Sequence, residues 1–193
     1  MKLYFLAFLV AAIVVPSCSL EQEACPAFPH RRTEETFPLR GSNHRHLSGS
    51  AIITNGVVKL GVNNLAQLNV AGGMASISGE SDVGVRLITA GGEYESTSQG
   101  CSCEGWGASA TVVDGLSSPS IEGYANNAAG IAGLALSSFV STTDEATSVV
   151  TIGGKLQVTH HYTPSTETDN LYEVEVELKN IGSYPLTDLV GDA

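Results

Sequence analysis

The chain has 193 residues, with nine Lys or Arg against 20 Asp or Glu, a formal charge of −11 and only 15% of residues charged. An acidic chain repels phosphate and has no basic stripe to release counterions, which excludes nucleic acid as a partner. A hydrophobic content of 42% with 21 glycines and 6% aromatics is globular, and it suits short strands and turns better than long helices.

The first segment, 1–17, reads as a secretory signal peptide: Lys2, an apolar run from Leu3 to Val15, then Pro16 and small residues. The run is short of the roughly 20 residues a bilayer span needs, and no second apolar stretch follows, so no transmembrane segment is expected once the signal is removed. Val15-Pro16-Ser17-Cys18 resembles a bacterial lipobox, with proline departing from the pattern, so lipid anchoring at Cys18 is the minor alternative to a secreted or cell-surface protein.

Residues 18–47 carry Pro26, Pro29 and Pro38, four arginines and three histidines without strand-like alternation, and read as a disordered leader or propeptide. Arg31-Arg32 is a dibasic pair, and Arg45-His46-Leu47 resembles the Arg-x-Leu propeptide cleavage site of diatom silaffins. Five basic and four acidic residues precede Ser48, whereas four basic and sixteen acidic ones follow it. The body, 48–193, therefore holds nearly all the acidity, at −12.

Within the body, Ile52–Thr54 and Val57–Val62 form an expected hairpin around Asn55-Gly56, and Val83–Thr89 returns through Gly91-Gly92 to 93–96. Ala108–Val113 and Leu136–Ser141 read as further strands. Ala125–Ala135 is the one stretch whose alanines allow a helical turn, against the cost of Gly130 and Gly133. Ser148–Ile152, the turn Gly153-Gly154, Lys155–Thr163 and Leu171–Lys179 make an antiparallel meander, the last strand alternating Tyr172, Val174, Val176 and Leu178 with Glu173, Glu175, Glu177 and Lys179. The sum is an all-β antiparallel sandwich, immunoglobulin-like or jelly-roll-like.

The stretch from Tyr172 through Asn180, Gly182, Pro185 and Asp188 to Val190 is similar to the strand, Asn-x-Gly turn and strand of CARDB-type immunoglobulin-like modules of secreted and surface proteins. The resemblance covers about a tenth of the chain and implies a sandwich fold rather than an activity. Such modules continue beyond this strand, so a C-terminally incomplete sandwich or a short last strand with an open sheet edge is expected.

Cys18, Cys25, Cys101 and Cys103 are disulfide candidates in an exported chain, with the pairing left open. Cys101-Ser102-Cys103 is spaced too closely for a zinc site. Trp106, in a glycine-rich loop beside them, is either a glycan-stacking platform or a residue packed on a disulfide, and packing is the favoured reading. Acidic loop pairs occur at Glu80/Asp82, Asp144/Glu145 and Glu167/Asp169; the last four are candidate Ca²⁺ ligands, weighed against plainly solvated loops.

No Gly-x-Ser-x-Gly, His-Glu-x-x-His, Walker or dinucleotide motif is present. His160 and His161 fall on opposite faces of one strand and cannot converge on one substrate. A non-catalytic extracellular structural or binding module at a cell surface, wall or matrix is the leading expectation. A Ca²⁺-dependent carbohydrate-binding module is the alternative, and a hydrolase without a recognisable motif comes third. The partners to test are glycans and wall or matrix components.

Overall fold

The computed structural model describes residues 3–7, 49–98, 104–126 and 129–192. The expected leader, 18–47, and all four cysteines lie outside the described residues. Strand β1 (Leu3–Ala7) lies within the expected signal peptide. β2 (Ser50–Thr54), β3 (Val58–Asn63), β4 (Val85–Thr89) and β5 (Gly92–Glu95) follow, then β6 (Gly105–Val112), β7 (Ser120–Asn126) and β8 (Gly130–Ala132). β9 (Leu134–Ser141), β10 (Ala146–Ile152), β11 (Leu156–Pro164), β12 (Tyr172–Asn180) and β13 (Leu186–Asp192) complete the fold.

Every named strand pair is antiparallel, and there is no helix among the described residues. The strands form three sheets in the orders β1-β12-β11-β10-β9, β13-β6-β7-β8 and β2-β3-β4-β5. This is the all-β sandwich architecture expected from the alternating runs.

The meander follows its turn chemistry. Gly153 and Gly154 both take left-handed φ, 57° and 65°, which is the type I′ geometry that matches strand twist. That turn sets Ile152 opposite Leu156 and Ser148 opposite His160. Alternation then buries Leu156, Val158, His160 and Tyr162 on one face of β11.

The Asn55-Gly56 hairpin closes differently from a two-residue I′ turn. Only Gly56 has positive φ, and the Asn55 side-chain oxygen accepts the N–H groups of Val57 (3.0 Å) and Val58 (2.7 Å), so β3 begins one residue later than the run of valines suggests.

The stretch from Ala125 to Ala135 holds no helix among its described residues. β7 ends at Asn126, β8 returns from Gly130, and the chain bends at Gly133 into β9. Gly130 (φ 99°) and Gly133 (φ 68°) sit in the left-handed region, which alanine-rich composition alone does not disclose. A Cβ at Gly133 would lie 2.1 Å from the Glu122 carbonyl oxygen, so the corner needs glycine.

β13 does not fold back on β12. Asn180 shapes the turn, accepting from the Gly182 N–H (2.9 Å) and donating to the Tyr184 carbonyl (2.8 Å), and β13 then pairs with β6 at the edge of the second sheet. The chain thereby passes from the five-stranded sheet to the β13-β6-β7-β8 sheet.

One apolar cluster draws on all three sheets: Ile53, Val58, Leu60 and Val62; Trp106, Ala108, Ala110 and Ala125; and Ala146, Val150, Ile152, Leu156, Val158, Tyr162, Tyr172 and Leu178. Alanines on β6 face this cluster where the sheets meet. Each fully buried Leu, Ile or Val contributes about 1.5–3 kcal/mol relative to exposure.

Candidate functional site

The segment after β3 is drawn into the core by three side chains from two sheets. Trp106 Nε1–H of β6 donates to the Leu65 carbonyl (2.6 Å), Ser148 Oγ–H of β10 to Asn64 (2.7 Å), and Tyr162 O–H of β11 to Ala66 (2.8 Å). Consecutive carbonyls that a loop would otherwise hydrate are thus satisfied inside. Asn63 supports the bend locally, its Oδ1 accepting from the N–H groups of Leu65 (2.9 Å) and Gln67 (3.0 Å). Ala66 and Asn69 take left-handed φ of 62° and 67°, a conformation that non-glycine residues hold only when neighbours impose it.

His160 stands beside this clamp. It is 2% exposed, its ring lies 4.5 Å from that of Trp106 at 51° and 6.4 Å from that of Tyr162 at 15°, and its Nδ1 has no hydrogen-bond partner. Burial pushes the imidazole down to about 4, so it is neutral at physiological pH. Burial also raises the Tyr162 hydroxyl far above its ordinary value. His161 faces outward, as alternation requires, with Nε2 3.9 Å from Glu145 Oε2.

The core therefore holds an imidazole with no nucleophile bonded to its Nδ1. Trp106 is 7% exposed. Its indole ring lies at a tilt against His160 and its Nε1–H is used by the Leu65 carbonyl. Cys101 and Cys103, the other half of the packing expectation, lie outside the described residues.

A second polar node organises the long β3–β4 connection. Arg86 on β4 is fully buried, and all five of its N–H groups find acceptors. Nε donates to Glu95 Oε2 (2.8 Å), Nη1 to the Met74 carbonyl (2.6 Å) and Glu93 Oε2 (3.1 Å), and Nη2 to the carbonyls of Glu80 (2.8 Å) and Asp82 (2.7 Å).

Burial pushes the Glu95 carboxyl up. The N–H groups of Gly84, Thr97 and Ser98 and the Arg86 guanidinium outweigh that, so it sits below the ordinary glutamate value. Hydrogen bonding to Lys59 leads the lowering at Glu93. The acidic pair Glu80/Asp82 thus contributes its backbone to an arginine, while the Glu80 carboxylate accepts from Ser76 Oγ (2.6 Å).

Arg86 and Glu95 are absent from the sequence-derived site candidates. The hairpin turns at Ala90-Gly91 rather than at Gly91-Gly92, which sets Thr89 opposite Gly92 and, three pairs on, Arg86 opposite Glu95.

The Ca²⁺ candidates occupy one end of the five-stranded sheet. Asp144 and Glu145 sit in the β9–β10 loop, and Glu167 and Asp169 in the β11–β12 loop. The β2–β3 turn touches both loops: Thr54 N–H donates to the Thr143 carbonyl (2.8 Å) and Asn55 Nδ2 to the Asp169 carbonyl (2.8 Å). Asp144 Oδ1 accepts from Thr142 Oγ1 (2.9 Å).

The neighbouring Tyr172 hydroxyl is buried without a hydrogen-bond partner. It is pushed up to about 12, first by burial and then by the charges of Asp144 and Glu145. Among the described residues, no three His, Cys, Asp or Glu side chains are gathered to share a metal ion. No helix among them is long and apolar enough to cross a membrane.

No family model, no curated protein and no solved structure matches the chain. The functional reading therefore rests on the residues themselves.

Proposed function

We propose that this chain is a secreted, non-catalytic β-sandwich acting as an extracellular structural or binding module at a cell surface, wall or matrix. The observation that carries the reading is the employment of its interior polar groups. Tyr162, Ser148 and Trp106 anchor residues 64–66, Arg86 anchors the 74–82 loop, and His160 is walled in as a neutral ring. Arg86, Ser148, Trp106 and Tyr162 are committed to holding loops on a scaffold. The signal-like 1–17 segment supports export, and the −12 body favours cationic, mineral or glycan contacts over phosphate-bearing ones.

N-terminal sequencing and intact mass of the protein recovered from its producing cells, followed by binding to isolated wall or matrix fractions and to a glycan array, test this reading. Recovery inside the cell with Met1 intact would reject export. Turnover of a hydrolase substrate panel would reject the non-catalytic role.

A Ca²⁺-dependent carbohydrate-binding module is the second reading, favoured by the β2–β3 turn that brings the 142–145 and 165–170 loops to one end of the sandwich. A site of that kind raises the melting temperature at millimolar Ca²⁺, the range of extracellular calcium modules, and Glu145→Gln lowers the rise. An unchanged melting temperature rejects it.

A further inference from the structure

The three donors that hold residues 64–66 all border one side chain, His160. Ser148 lies directly opposite it across the β10–β11 pair, Tyr162 follows it on the same buried face of β11, and Trp106 reaches it from β6 with ring centres 4.5 Å apart. The main chain that accepts their hydrogen bonds at Asn64, Leu65 and Ala66 therefore runs past the imidazole and helps to shut it from water. Only 2% of His160 is exposed.

These surroundings make no provision for a charge. An imidazolium carries an N–H on both nitrogens, and Nδ1 of His160 has no hydrogen-bond partner. The residues that face the ring from the described elements are Trp106 on β6, Ser148 on β10, Tyr162 on β11, Val176 directly opposite on β12, and the 64–66 main chain. Tyr162 alone among them titrates, and burial keeps its hydroxyl protonated. From Gly61 to Val70 no residue is charged; at the far end of the segment, Asn69 Nδ2 donates to the Glu104 carboxylate.

The segment is also held in a conformation that it would leave if freed. Ala66 and Asn69 keep their left-handed φ, 62° and 67°, only under the bonds around them, and release relaxes both.

We propose that His160 is an acid latch: proton uptake by its ring frees the 63–70 segment from the core while the sheets stay formed, uncovering Leu65, Ala66 and Leu68. Opening admits water to the imidazole and returns it to its ordinary value near 6.5, against about 4 when closed. Below 6.5 the open form takes a proton that the closed form refuses. Opening therefore grows about tenfold per pH unit, to about a hundredfold at pH 4.5, until the closed form itself titrates near 4.

Native-state hydrogen exchange of the purified full chain from pH 7 to 4.5, corrected for the intrinsic rate at each pH and repeated in low denaturant, tests the proposal. The reporting amides are bonded in the closed segment: Asn64 to the Gly49 carbonyl, and Leu65 and Gln67 to Asn63 Oδ1. They are expected to exchange through an opening that denaturant hardly promotes, distinct from the global unfolding that frees β10 and β11 amides. That local opening should rise about tenfold per pH unit below 6.5.

His160→Phe should keep the opening local and abolish its pH dependence. His161→Gln, on the outer face of the same strand, and Glu104→Gln should retain the wild-type slope. Exchange of 64–67 only together with the sheets, a local opening indifferent to pH, a slope that survives in His160→Phe, or one that disappears in Glu104→Gln or His161→Gln each overturns the latch. Should His160→Phe fail to fold by circular dichroism, the wild-type slope and its retention in the other two variants decide the matter: both are required.

Discussion

Acidification from pH 7 to 4.5 should weaken the fold through one side chain, His160. In the unfolded chain its imidazole titrates near 6.5, and in the fold burial holds it at about 4. Below 6.5 the unfolded state therefore binds a proton that the native state refuses. Stability is complete above that value and falls as pH drops, by up to about 1.4 kcal/mol per pH unit, until the folded group itself titrates near 4.

Between pH 7 and 4.5 the loss from His160 alone amounts to about 2–3 kcal/mol, a large share of a typical domain's stability. The window ends at 4.5 because Glu80, Glu93 and Glu95 are held below that ordinary value and withdraw their contributions only under more acidic conditions.

Urea unfolding followed by fluorescence of Trp106, the single tryptophan, measures the effect at steps across the window. His160→Phe removes the titrating group. Any overpacking against Trp106 and Tyr162 shifts its stability by the same amount at every pH, so its profile should lack the His160 increment. Equal wild-type stability at pH 7 and 4.5 would refute the reasoning, as would an identical decline in His160→Phe.

Arg86→Met should cost about 3–5 kcal/mol, because it leaves the Glu95 carboxylate buried without its charge partner and releases the carbonyls of Met74, Glu80 and Asp82. Denaturant melts check the figure; a loss under 1 kcal/mol would mean that backbone N–H groups alone satisfy Glu95. Tyr162→Phe keeps the ring and deletes the donor to Ala66, so it should cost about 1–3 kcal/mol and speed amide exchange within 64–70 more than in β10 or β11. Uniform acceleration across the sheet would count against a local clamp.

Much of the strand pattern was legible in the sequence because its cause is local. Period-two alternation placed Tyr172 and Leu178 on a buried face, and Gly153-Gly154 set the register of β10 against β11. Alternation also separated His160 from His161. The Ala125–Ala135 stretch misled because alanine content reports helix propensity, whereas the outcome turned on two glycines with φ that no helix uses. β7 escaped notice for a related reason: Ser120–Asn126 has Ile121 as its one β-branched residue, and it is a strand because β6 pairs with it.

By itself, then, the sequence determined the acidity of the body, the all-β class, most of the strands and the sides on which their residues fall. The tertiary structure decided which loops the core would hold. Nothing local says that Leu65 will accept from Trp106, Asn64 from Ser148 and Ala66 from Tyr162, because those bonds join residues 41, 84 and 96 positions apart. It also decided that Arg86 lies inside and that β13 crosses to β6. Alternation fixes a face, but which sheet or loop meets that face depends on how distant strands stack, and only packing supplies that information.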